Sequence, residues 1–129
     1  MHTHSPKDCT GRALTKQKSP VYKVDVGAFK DSNGDTIGDF AGVKSELDYL
    51  VETGVGTVYI SSFFASPKAA TSGFDVLDYR QVDSTFGSLE DWKALVMSLK
   101  EGDQKVVIVD FIPNNTSDQH EWFEKSVAK

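Results

Sequence analysis

Two short runs, Thr57-Val58-Tyr59-Ile60 and Val106-Val107-Ile108-Val109, are β-branched or aromatic at every position and leave no polar face in a period-two register. Each is too short for a helix, and a strand apolar on both faces must be covered on both sides. Such strands belong to parallel sheets, where helical crossovers join one strand to the next. An earlier segment, Val21-Tyr22-Lys23-Val24-Asp25-Val26, alternates apolar with polar residues and runs into Gly27-Ala28-Phe29, as a strand with a turn beyond it does. The intervening residues supply the crossovers. Val43, Leu47, Leu50 and Val51 recur at helical spacing and Gly54 ends the segment. Ser88 can cap a second helix, with Glu90 and Asp91 in its first turn and Trp92, Leu95, Val96 and Leu99 as its stripe. A third is expected from about Glu121 to Ala128, packing through Trp122, Phe123 and Val127. The order β-α-β-α-β-α predicts an α/β chain with a parallel sheet. Chemistry in such sheets gathers at the C-terminal ends of the strands, where the connections here are long and polar.

Charge and composition remove several functions. The 129 residues carry 14 Lys and Arg against 19 Asp and Glu, a net charge of -5, with no long basic cluster to hold a nucleic acid. No apolar run approaches the roughly 20 residues of a membrane helix. Residues 1–20 are polar and basic and read as a disordered tail, which leaves 21–129 as the folded, acidic part. His2 and His4 in that tail make a weak metal site, and Cys9 reads as a free thiol. The first residues lack the apolar core of a secretory signal.

Three loops carry residues suited to chemistry. In Asp31-Ser32-Asn33-Gly34-Asp35-Thr36-Ile37-Gly38-Asp39, oxygen side chains at alternate positions can wrap one hard cation, and many ligands on a flexible loop favour calcium over magnesium. It is not an EF-hand loop, which needs glycine where Thr36 stands and glutamate where Gly42 stands. In Gly73-Phe74-Asp75-Val76-Leu77-Asp78-Tyr79, an acid beside an aromatic ring suits a sugar, whose hydroxyls donate to the carboxylate while its C–H face packs on the ring. A capped turn with a core aromatic explains the same residues equally well. The third loop, Asp110-Phe111-Ile112-Pro113-Asn114-Asn115-Thr116-Ser117-Asp118, places a carboxylate and two amides directly after the last strand. Asn114 and Asn115 each begin an N-glycosylation sequon, which a pocket-lining role would leave unmodified.

These motifs together resemble the start of the catalytic barrel of glycoside hydrolase family 13, in its α-glucosidase, maltase and oligo-1,6-glucosidase branch. FKDSNGDTIGD (Phe29 to Asp39), LDYL (Leu47 to Leu50), GFDVLDYRQVD (Gly73 to Asp83), FGSLEDW (Phe86 to Trp92) and DFIPNNTSDQHEWF (Asp110 to Phe123) stand in the family's order and spacing. The resemblance implies the first three βα units of a TIM (β/α)₈ barrel, with a sheet completed by further strands. It implies a structural calcium held by Asp31, Asn33, Asp35, the Ile37 carbonyl and Asp39. Asp75 matches the family's grip on the terminal glucose, with Phe74 where tyrosine is usual, and Asp110 and Asn114 match residues that support the pocket. The activity implied for the parent is hydrolysis of α-linked gluco-oligosaccharides, in a secreted or outward-facing protein. The same barrel also resembles the ectodomain of amino-acid transporter heavy chains, whose partner is a transporter light chain.

Several departures from the family's pattern fall in the sugar pocket that the resemblance implies. Asn115 replaces a histidine that reaches a sugar hydroxyl, Asp25-Val26 replaces Tyr-Pro, Ser62 replaces a proline, and Lys68 to Ser72 is one residue longer than usual. A retaining glycosidase also needs two carboxyl groups about 5–5.5 Å apart across the scissile bond. The resemblance places them on later strands, so no residue of this chain is expected to cut the bond.

Overall fold

The structure, a computed structural model, describes residues 19–67, 73–103 and 106–128. The expected tail lies almost wholly outside those residues, as do His2, His4, Cys9 and Lys68 to Ser72. The first element of the described residues is strand β1 (Val21–Val24), and the expected turn after it closes further into a single helical turn, α1 (Val26–Phe29). Where one helix is predicted, two follow: α2 (Phe40–Ser45) and α3 (Leu47–Glu52). The break has a local cause. The Ser45 hydroxyl donates to the Gly42 carbonyl at 2.7 Å, and the Glu46 N–H turns instead to the Val43 carbonyl at 3.2 Å. A short side chain has displaced the helical bond and bent the path. Gly54 closes α3 at φ 69°, its N–H on the Val51 carbonyl, the stop that the sequence predicts.

Strand β2 (Thr57–Ile60) comes next, then a hairpin that the sequence pattern does not announce, β3 (Phe64–Ala65) paired antiparallel with β4 (Asp78–Val82). Helix α4 (Leu89–Asp103) starts where expected. Ser88 Oγ accepts from the Asp91 N–H at 3.1 Å while the Asp91 carboxylate accepts from the Ser88 N–H at 2.8 Å, a reciprocal cap of two orphan donors. Strand β5 (Val106–Val109) and helix α5 (Glu121–Val127) complete the chain.

The expected parallel sheet forms in the order β1-β2-β5, with Val21 opposite Thr57 and Thr57 opposite Val106. Val24, Val58 and Ile60 on one face are fully buried against Phe40, Val43 and Leu50 from α2 and α3 and Leu95 and Leu99 from α4. On the other face Lys23 lies 5.5 Å from the centre of the Tyr59 ring, and Ile108 is exposed. Among the described residues, a sheet apolar on both faces is therefore layered by helices on one of them. One expectation fails: Trp122, Phe123 and Val127 of α5 are exposed at 56%, 47% and 69%. That helix lies outside the sheet–helix core, and among the described residues the Trp122 ring pairs with those of Tyr79 and His120.

Candidate functional site

The site develops where the strands of the parallel sheet end. Asp110 follows β5 and its carboxylate accepts from the Tyr59 hydroxyl on β2 and from the Ser62 N–H at 2.8 Å. The hydroxyl's bond to Asp110, then burial and the carboxylate's charge, raise the Tyr59 pKa above the ordinary phenol value. Asp110 thus ties the ends of two neighbouring strands. Ser62 itself is buried and donates through its hydroxyl to the Gly73 carbonyl. A proline at this position would have no N–H for Asp110 and no hydroxyl for Gly73. This departure therefore creates two bonds.

The second and third loops come together. The Asn115 side-chain amide donates to the Phe74 carbonyl at 3.0 Å, the Ser117 N–H donates to the Val76 carbonyl at 2.9 Å, and the Tyr79 hydroxyl donates to the Asn115 carbonyl. Asn115 is expected as a sugar partner; here it also fastens one loop to the other. Phe74 is exposed and Asp75 half-buried, and Asp75 makes no hydrogen bond among the described residues. Asn114 is exposed and likewise lacks a partner among them. It lines a cleft of about 580 Å³ with Asn115, Phe64, Tyr79, Phe111 and Trp122, whereas Phe74 and Asp75 do not. Aromatic walls with amides between them suit a ligand with apolar C–H faces and hydroxyl groups.

The acidic loop adopts a wound conformation. Asp31 accepts from the N–H groups of Asn33, Gly34 and Thr36 at 3.0, 2.7 and 2.8 Å. The Gly34 and then the Thr36 amide hold its carboxyl below the usual carboxylate range, so it stays ionised as pH falls. Asn33 accepts from the Asp35 N–H, and Asp35 from the Ile37 N–H at 2.8 Å. Thr36 stands at φ 75°, a left-handed conformation rare for a β-branched residue, held by its bond to Asp31. A carboxylate has about four acceptor sites. Asp31, Asn33 and Asp35 therefore keep lone pairs that fit a hard cation. Asp39 is engaged more fully, each of its oxygens taking two contacts, from the Ser32 N–H and hydroxyl and from the Gly42 N–H at 2.6 Å. Among the described residues no three His, Cys, Asp or Glu side chains converge as a metal-binding group.

The sequence marks Ser62 only as a departure and Tyr79 only as the end of a motif, and it gives Tyr59 no role, though each holds part of the site. Residues 26–129 match the family described as Alpha amylase, catalytic domain. The chain belongs to that family. Similarity to other members of the alpha-amylase family extends over most of the chain. It is 44% identical over 110 residues to the α-glucosidase of Schizosaccharomyces pombe, covering 85% of this chain and 19% of that protein. It is 42% identical over 110 residues to the human amino acid transporter heavy chain SLC3A1, covering 85% of this chain and 16% of that one. Among solved structures, the trehalulose synthase MutB of Pseudomonas mesoacidophila superposes with a TM-score of 0.79 at 42% identity, over 84% of this chain and 19% of that one. The chain spans about a fifth of the length of the curated relatives it matches. Its α/β sheet and helices correspond to part of the TIM barrel of these alpha-amylase-family enzymes.

Proposed function

We propose that this chain forms a sugar-binding part of an α-glucosidase-like barrel that hydrolyses α-linked glucosides. The bond from Asn115 to the Phe74 carbonyl carries the reading, because it brings the aromatic-acid loop and the amide loop to one place beyond the strand ends. In this reading Asp75 and Phe74 hold the glucosyl unit, Asn115 positions their loop and offers its remaining amide oxygen, and Asp110 and Asn114 support the pocket. The chain contributes binding and no bond cleavage. Maltose added to the 129-residue chain should shift the NMR resonances of Asp75, Phe74 and Asn115, and Asp75→Asn should remove the shifts. Shifts confined to other residues would overturn the assignment, and nitrophenol release from an α-glucoside by this chain would overturn the division of labour.

Asp31, Asn33, Asp35 and the Ile37 carbonyl are proposed to hold a structural calcium, with Asp39 bracing the loop from behind or completing the ligand set. The free lone pairs on the first three support it. A bound ion raises the melting temperature by mass action, so an unchanged melt between chelator and millimolar calcium would refute it. Two observations favour a second reading, a transporter heavy chain paired with a light chain: the Asn115 amide N–H already serves a loop-to-loop bond, and a heavy chain is among the relatives. Absence of any maltose response at tens of millimolar would favour that reading.

A further inference from the structure

We propose that His120 is a proton-sensitive latch that fixes the aromatic wall of the cleft when neutral and releases it when protonated. The imidazole is 4% exposed and stands at the N-cap of α5. Its Nδ1 accepts the Trp122 N–H at 3.0 Å, so the neutral ring carries its proton on Nε2. The His120 carbonyl also accepts from the Phe123 and Glu124 N–H groups, which makes this residue the start of the helix. Its ring lies 4.6 Å from that of Trp122 and 5.7 Å from that of Tyr79, and those two rings stack at 5.9 Å with 24° between their planes. Tyr79 and Trp122 are two of the aromatic walls of the cleft.

Protonation changes the Nδ1 lone pair into an N–H, so that a donor faces the Trp122 donor. The cap bond is then lost. Ordinary N-cap residues, being hydroxyls, amides or ionised carboxylates, have no such proton to gain at the capping atom and keep their acceptor. Glu121, the first residue of α5, is the acidic group whose charge interacts with His120, and it also interacts with Lys125 on the same helix and with Arg80 from β4; Asp118 and Glu124 flank the same turn in sequence. The Tyr79 and Trp122 rings partly stabilise the cation but cannot replace the lost acceptor. The helix start and Trp122 consequently loosen together.

The latch rests on the sugar reading only for what it would regulate, and its test needs no sugar. In NMR spectra of the 129-residue chain from pH 8 to 5, the His120 ring protons and the Trp122 backbone amide should titrate with one shared midpoint. His120→Asn keeps an amide acceptor at the cap and should abolish the Trp122 titration while leaving the helix formed. A Trp122 amide that stays flat while the imidazole titrates, or that titrates equally in the Asn variant, would overturn the latch. Should the variant fail to fold, the shared midpoint in the unsubstituted chain still decides.

Discussion

Replacing Asp39 by alanine tests whether the loop is held by hydrogen bonds or by an ion. Asp39 is 5% exposed and is the N-cap of α2. Losing an N-cap costs about 0.5–2 kcal/mol. The Gly42 N–H is then left buried without its acceptor, a penalty of about 1–3 kcal/mol that overlaps with the cap term. Ser32 adds two donors to the same carboxylate, but it is exposed and water replaces them, so their share is about 0.5–1 kcal/mol. The combined loss is about 2–4 kcal/mol. Near this chain length that corresponds to a fall in melting temperature of roughly 8–16 °C. Urea unfolding followed by far-ultraviolet circular dichroism should show a lower midpoint with an unchanged slope. The loss should be equal in chelator and in millimolar calcium. A loss below about 0.5 kcal/mol would refute the capping argument, and a clearly larger loss in calcium would make Asp39 a ligand.

Leu95→Ala removes a fully buried side chain of α4 and should cost about 3–5 kcal/mol in the same assay, with less than 1 kcal/mol counting against the packing described. Gly42→Ala would place its Cβ 2.0 Å from the Lys30 carbonyl oxygen, so a loss of about 1–3 kcal/mol or more is expected, and unaltered stability would contradict that approach. Asp110→Asn should lower the Tyr59 pKa toward the ordinary phenol value, read by ultraviolet titration with Tyr59→Phe as the reference. The sign follows from linkage. A pKa raised in the folded state gives stability that is complete below pH 10 and is lost as pH rises through the folded value, so the Asn variant, in which the folded and unfolded values draw together, should lose less stability between neutral and alkaline pH than the unsubstituted chain.

The sheet was legible because Thr57–Ile60 and Val106–Val109 admit few structures, and the caps at Ser88 and Gly54 were legible because they act over three or four residues. The break at Glu46 was not, since Ser45 only competes for a carbonyl once the first turn exists. Strands β3 and β4 also escaped notice, being short and half-buried without clean alternation. The site was legible as three loops but not as contacts. Tyr59 meets Asp110 across 51 residues and Tyr79 meets Asn115 across 36, distances at which only the assembled sheet brings side chains together.

The parallel register also sets a timetable. Thirty-six residues separate Val21 from its partner Thr57, and forty-nine separate Thr57 from Val106. Loop-closure entropy grows so slowly with length that the second pairing costs only about 0.3 kcal/mol more than the first. Synthesis at about 5–20 residues per second, in contrast, delays β5 behind β2 by roughly 2–10 s. For those seconds β2 presents an unpaired row of amides and carbonyls while β1 is already available on its other side. A nascent chain stalled in that interval would be the form most exposed to capture by another strand, and a chaperone that shields β2 would act during those seconds.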